Sequence, residues 1–257
     1  MIIPEAREHL LRALREGLRF DGRAAHAYRP IEITRNITKN AEGSARVKIG
    51  DTEVIAGVKF EVGTPFPDKP TEGSIMVNTE LIPFSSPEFE SGPPGIESIE
   101  LARVVDRGIR ESKAIDFKKL CIKEGEQAWI ALIDIVPLNA SGNLFDAFAL
   151  AALVALRETK FPALVDGKID YHQSSGKPLG VEKKPIAVTV HKIGDILLID
   201  PTREEEHLCE ARLTVTSMEN DVLCALQKGG DGPLTVDEIT AMVTLAIEKA
   251  RELRKLI

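Results

Sequence analysis

The chain has 257 residues, 43% hydrophobic and 28% charged, enough for one large core or two small half-domains and too ordered in composition for extended disorder. A net charge of −7 and a pI near 5.4 exclude a generally basic surface, so any RNA contact needs a local basic stripe or a partner's charge. The N-terminus lacks the features of a signal peptide, and the longest nearly apolar run, Ala147 to Leu156, is too short to cross a bilayer, so a cytoplasmic protein with no membrane partner is expected.

In chain order, Pro4 to Phe20 reads as a helix. Proline suits a first turn, and Leu10, Leu11, Leu14 and Leu18 form one apolar face, before Asp21-Gly22-Arg23 breaks it. Ile31 to Thr34, Ala45 to Ile49 and Val54 to Phe60 read as strands, the last two joined at Gly50-Asp51 as a hairpin. Pro65, Pro67 and Pro70 mark a loop, Ser74 to Ile82 a strand, and Ser85 to Gly95 a second loop. Ile96 to Ser112 is a helix. Ala128 to Val136 is an apolar strand central to a sheet, and Leu144 to Thr159 is apolar nearly all round and therefore a buried helix.

Pro162 to Lys184 reads as irregular. Strands return at Ile186 to Ile193, Ile196 to Ile199, Arg212 to Thr216 and Val222 to Leu226. Thr235 to Glu238 is a capping box that opens a final helix, with acids in its first turn and Arg251, Arg254 and Lys255 in its last. The class is α+β (mixed αβ). We read residues 1–257 as a single body with approximate halves 21–160 and 161–257, preceded by the helix 4–20; no sequence repeat proves the halves alike.

Generic chemistry is sparse. Cys121, Cys209 and Cys224 are too few and too irregularly spaced for a disulfide framework or a zinc site, and read as small buried hydrophobes. The five histidines stand in no nucleophile or metal motif, and no Walker loop, dinucleotide fingerprint or nucleophile elbow is present. No metal and no cofactor is expected. The acid run Glu204-Glu205-Glu206 with Glu210 could bind a metal or act as an acid, but such a run is more often a solvated loop. Arg103, Arg107 and Arg110 fall within about a 60° sector of one helix face, opposite Val105 and Ile109. Such a row suits successive phosphates, since each guanidinium grips phosphate oxygens in pairs. Taken by itself, the row reads first as a solvated face with local pairs to Glu100, Asp106 and Glu111.

Several segments together resemble a known family. Asp21-Gly22-Arg23 and the stretch Ala41 to Ile55 resemble the opening of RNase PH-type exoribonucleases, and Arg103 to Arg110 is similar to their arginine helix. Asp200-Pro201-Thr202-Arg203 through Glu206, with Gln227-Lys228-Gly229-Gly230, resembles the non-catalytic RNase PH-type subunit of the archaeal exosome ring. The resemblance covers nearly the whole chain and implies an RNase PH-like fold of two related αβ halves. Active members of that family release nucleoside diphosphates from RNA by phosphorolysis and carry an Ala-Asp-Gly-Gly-Thr-Arg phosphate loop.

Here the equivalent stretch is Asn139 to Asp146, with Asn143-Leu144-Phe145 where Gly-Thr-Arg would stand. The hydroxyl and the guanidinium are gone, and Asp146 adds negative charge, so a phosphate there would meet uncompensated desolvation and repulsion. Of two aspartates six residues apart in active members, Glu206 matches the first and Arg212 the second, with its charge reversed.

The resemblance therefore implies a subunit with no catalytic residues, whose Arg103, Arg107 and Arg110 bind single-stranded RNA; Arg110 equally fits a brace at the subunit interface. Implied partners are a catalytic RNase PH-type subunit, in three heterodimers forming a hexameric ring, and cap proteins with RNA-binding modules. The alternative is a stand-alone active RNase PH-like phosphorolase or nucleotidyltransferase, which would need the intact phosphate loop. An unrelated metabolic enzyme would make all these matches coincidence.

Overall fold

The computed structural model describes residues 4–165 and 168–257. Helix α1 spans Pro4–Arg15 and stops five residues short of the expected Phe20. Gly17 takes φ +75°, a left-handed conformation that suits a residue without a Cβ and turns the chain out of the helix. Leu10 and Leu14 keep the expected apolar face and pack on Ile193, Leu198 and Leu208, whereas Leu18 and Phe20, beyond the turn, are exposed.

Strands β1 (Ile31–Arg35), β2 (Gly43–Ile49) and β3 (Thr52–Gly63) follow, with β2 and β3 paired across the Gly50-Asp51 turn as expected. Strand β4 (Ser74–Thr79) leads to α2 (Ile96–Glu111). A 3₁₀ turn at Phe117–Leu120 and the short β5 (Cys121–Lys123), neither legible beforehand, precede β6 (Gln127–Asn139). The first sheet has the order β1-β2-β3-β6-β4, so β6 is internal, paired antiparallel with β3 and parallel with β4. Period-two burial of Val54, Ala56, Val58 and Phe60 shows which face of β3 meets the core.

Helix α3 (Leu144–Glu158) is buried along most of its length. It touches β2, β3 and β6 of this sheet and also β9 (Ile186–Ile193) of the next. An all-apolar helix sits between two sheets because every side it presents finds a nonpolar partner. The second sheet has the order β10-β9-β11-β12, with β10 at Ile196–Ile199, β11 at Ala211–Ser217 and β12 at Leu223–Gly229. The final helix, α5 (Val236–Arg254), packs on β9 and β11 and opens with the expected reciprocal cap between Thr235 and Glu238.

Two expectations fail. Pro162 to Lys184 is largely a hairpin of β7 (Lys160–Val165) and β8 (Lys168–Pro178), separate from both sheets. Asp170, Gln173, Ser174 and Ser175 erase the apolar alternation that would mark a strand, and register shifts break the pairing further. The acid run is a solvated loop only in part: Glu204 and Glu210 are exposed, but Arg203–Glu206 forms a short helix, α4, in which Glu205 is 3% exposed. The cysteines are free, but all three are half-buried rather than fully enclosed. Among the described residues, no helix is long and apolar enough to cross a membrane.

Candidate functional site

The loop after β6 ends in Asn143, which takes φ +59° and places its backbone N–H at the start of α3. Such an N–H is an anion seat. Here it donates to Glu206 Oε1 at 2.7 Å, so the protein's own carboxylate occupies the position. Leu144 and Phe145 turn inward and are each 7% exposed.

Asp146 is buried and accepts hydrogen bonds from Tyr28 Oη at 2.7 Å, the Thr189 N–H at 2.7 Å and Asn143 Nδ2 at 3.2 Å. Burial pushes its carboxyl up to about 7, and the three donors only partly offset this. Burial likewise raises the Tyr28 phenol, with the Asp146 charge adding to it.

Beside this lies Asp200, fully buried at φ +50°. Arg29 grips it through Nε–Oδ2 at 2.9 Å and Nη2–Oδ1 at 2.7 Å, and Arg23 Nη1 reaches Oδ2 at 2.9 Å. Arg29 also donates to the Ser141 and Gly142 carbonyls. The Asp21-Gly22-Arg23 and Asp200-Pro201-Thr202 motifs therefore meet at one carboxylate, which ties the N-terminal segment to the loop.

A cavity of about 410 Å³ opens here, lined by Glu97, Glu100, Phe145, His191, Glu206 and Arg212. The two residues aligned with the family's acid pair thus do share one pocket. Burial, with Glu97 adding to it, pushes Glu206 up to about 7. Arg212 Nη2 donates to Glu100 Oε2 at 2.5 Å, and its guanidinium lies 4.6 Å from the Phe145 ring centre. A Cβ on Gly229 would stand 2.4 Å from the Arg212 Cζ, so the Lys-Gly-Gly turn leaves the room that Arg212 fills.

The arginine row is split by its surroundings. Arg103 and Arg107 are exposed and line an adjoining cavity of about 360 Å³ with Ile96, Ile99, Glu100 and Gln227. Arg107 Nη2 donates to the Leu226 carbonyl at 2.9 Å and to Gln227 Oε1 at 2.7 Å. Arg103 has no ion-pair partner among the described residues, because Glu100 is taken by Arg212 and Asp106 by Arg110. Arg110 is half-buried, bonded to both Asp106 oxygens and to the Ile75 carbonyl, with its guanidinium 5.5 Å from the Phe117 ring centre.

Sequence reasoning overlooked Glu97 and the part His191 plays in the pocket. No local signal marks either, since the first reads as an ordinary first-turn acid and the second as a strand histidine. Among the described residues, no group of three or more His, Cys, Asp or Glu side chains is placed to hold a metal ion.

The chain matches the model of the 3′ exoribonuclease family, domain 1, over residues 27–162, and that of domain 2 over residues 184–249. It is 45% identical over 253 residues to the exosome complex component Rrp42 of Methanopyrus kandleri, covering 98% of this chain and 95% of that protein. The structure of the Archaeoglobus fulgidus exosome with RNA bound to the active site contains a chain 46% identical to this one, with a TM-score of 0.90, covering 97% of this chain and 96% of that one. A chain of an archaeal exosome core is 43% identical, with a TM-score of 0.87, over 97% of this chain and 94% of that one.

Proposed function

Because the chain belongs to the 3′ exoribonuclease family with the RNase PH fold, we propose that it is a non-catalytic exosome subunit that shapes the ring and positions RNA for a catalytic neighbour. The observation that carries this reading is the filled anion seat: Glu206 takes the Asn143 N–H where phosphate would bind. Around it, Glu97, Glu100 and Glu206 face a single arginine, Arg212, itself engaged by Glu100. An incoming phosphate would have to displace a carboxylate and then sit among two more. The stand-alone phosphorolase has no such seat to use.

In this reading the chain works as one body with a partner of the same fold, alternating with it in a ring, with cap proteins on one face. Strands β4 and β12 end their sheets, and α2 packs against both. Arg103 and Arg107 stand exposed on that helix, between the two end strands. This placement supports single-stranded RNA passing along α2 toward a neighbour's active site. Arg110 belongs to the same row, but its contacts with Asp106 and Ile75 favour bracing α2 over gripping a phosphate.

The test is phosphorolysis by the purified chain. With poly(A) RNA, phosphate and magnesium, the chain alone releases no ADP, and adding a catalytic RNase PH-type subunit starts release. Steady ADP release from the chain alone would overturn the non-catalytic reading.

A further inference from the structure

The cavity beside Glu206 holds a buried imidazole whose nitrogens no partner takes up. Arg212 is consumed by Glu100 and by the Phe145 ring. Glu97 and Glu206, in the same wall, have no ion-pair partner among the described residues. His191 sits opposite Arg212 in the β9–β11 register, is 2% exposed, and has no hydrogen-bond partner on either ring nitrogen. Burial pushes this imidazole down to about 3, with the Arg212 charge adding to it, so the ring is neutral and keeps one lone pair. A buried polar atom left unpaired is costly, and a ligand supplying the missing partner recovers that cost.

Two carboxyl groups without an ion pair and a neutral imidazole suit a cation rich in N–H donors. A metal ion fits poorly, since among the described residues no group of three or more His, Cys, Asp or Glu is placed to ligate one. Ile96 and Phe145 give the cavity apolar wall as well, which suits a hydrocarbon chain. We propose that this cavity is a binding site for a small alkyl diamine, its ammonium groups donating to Glu206, Glu97 and the His191 ring. The site adjoins the Arg103–Arg107 cavity through Ile96 and Glu100, but neither arginine lines it.

Calorimetric titration of the full chain with 1,4-diaminobutane tests it, with tetramethylammonium, magnesium and inorganic phosphate as separate arms. The expected result is saturable uptake of one diamine per chain, with weaker uptake in the other three arms. Glu206→Gln keeps an acceptor for the Asn143 N–H and removes the charge, and Glu97→Gln changes an exposed side chain. Each weakens diamine binding about tenfold, the loss expected of one charge-assisted hydrogen bond. The site is refuted by absence of saturable uptake, by equal affinity for tetramethylammonium or magnesium, or by unchanged binding in both folded variants.

Discussion

Two arginines and one glutamate carry opposite lessons about exposure. Arg103 and Arg107 share a helix face, are solvated, and have little or no local charge compensation. Replacing both with Glu leaves assembly intact and weakens RNA binding and decay, more than replacing both with Ala, because repulsion is added to the lost contacts. Each lost phosphate contact also flattens the salt dependence of binding by a slope of roughly 0.7 for a single strand. Unchanged decay across a salt titration would show that these residues are only a solvated face. Arg110→Ala is the control: the Asp106 and Ile75 contacts predict lost stability or assembly ahead of lost RNA affinity.

Glu206 is half-buried, with its carboxyl turned to the Asn143 N–H. Its folded value of about 7 exceeds the ordinary 4.5, so the folded state holds the proton more tightly than the unfolded state. Its contribution to stability therefore falls as pH rises from about 4.5 to about 7, and is constant above. Asp146 acts with the same sign. Urea denaturation from pH 5 to pH 8 should show the natural chain losing more stability than Glu206→Gln. Equal slopes would mean that Glu206 is ionised throughout.

Among the elements, α1 and α4 illustrate how a short helix is held. Glu205 is the third residue of a reciprocal cap, bonded to the Thr202 N–H at 2.8 Å. The same carboxylate takes Arg19 in a two-point pair, at 2.9 Å from Nε and 2.6 Å from Nη2, both side chains nearly inaccessible. Arg19 also donates to the Ile199 and Asp200 carbonyls, so the segment after α1 is strapped to the end of β10. Arg19→Met leaves a buried carboxylate uncompensated and should cost about 3 kcal/mol. Combined with Glu205→Gln, the loss should be at least about 1 kcal/mol smaller than the sum of the two single losses, measured by urea denaturation. Strict additivity would mean that the two side chains act separately.

At the scale of the molecule, β4 and β12 each end a sheet next to α2. Strand β12 exposes Leu223 and Leu226, β4 exposes Met76, and Ile96 and Ile99 stand exposed on α2 between them. End strands with exposed apolar side chains invite pairing with another chain. Mixed with a catalytic RNase PH-type subunit, this chain should sediment as a species of about six subunits, the size of a closed ring of alternating chains. A mixture that stays monomeric at micromolar concentration would count against ring membership.

The elements were largely legible in the sequence because neighbours decide them. The Gly50-Asp51 turn, the apolar run of α3 and the Thr235–Glu238 cap each act within a few residues. The missing Gly-Thr-Arg could also be read directly, since it is a question of which residues are absent. The state of Glu205 and Glu206 could not. A carboxylate is solvated or buried according to partners that only folding supplies, and here those are Arg19, 186 residues away, and the Asn143 N–H, 63 residues away. The cavity around Glu206 is likewise a tertiary product, because it sets α2, α3, α4, β9 and β11 around one space. Composition and periodicity determine which face of an element is apolar, whereas the charge balance of a buried pocket depends on long-range packing in a low-dielectric interior.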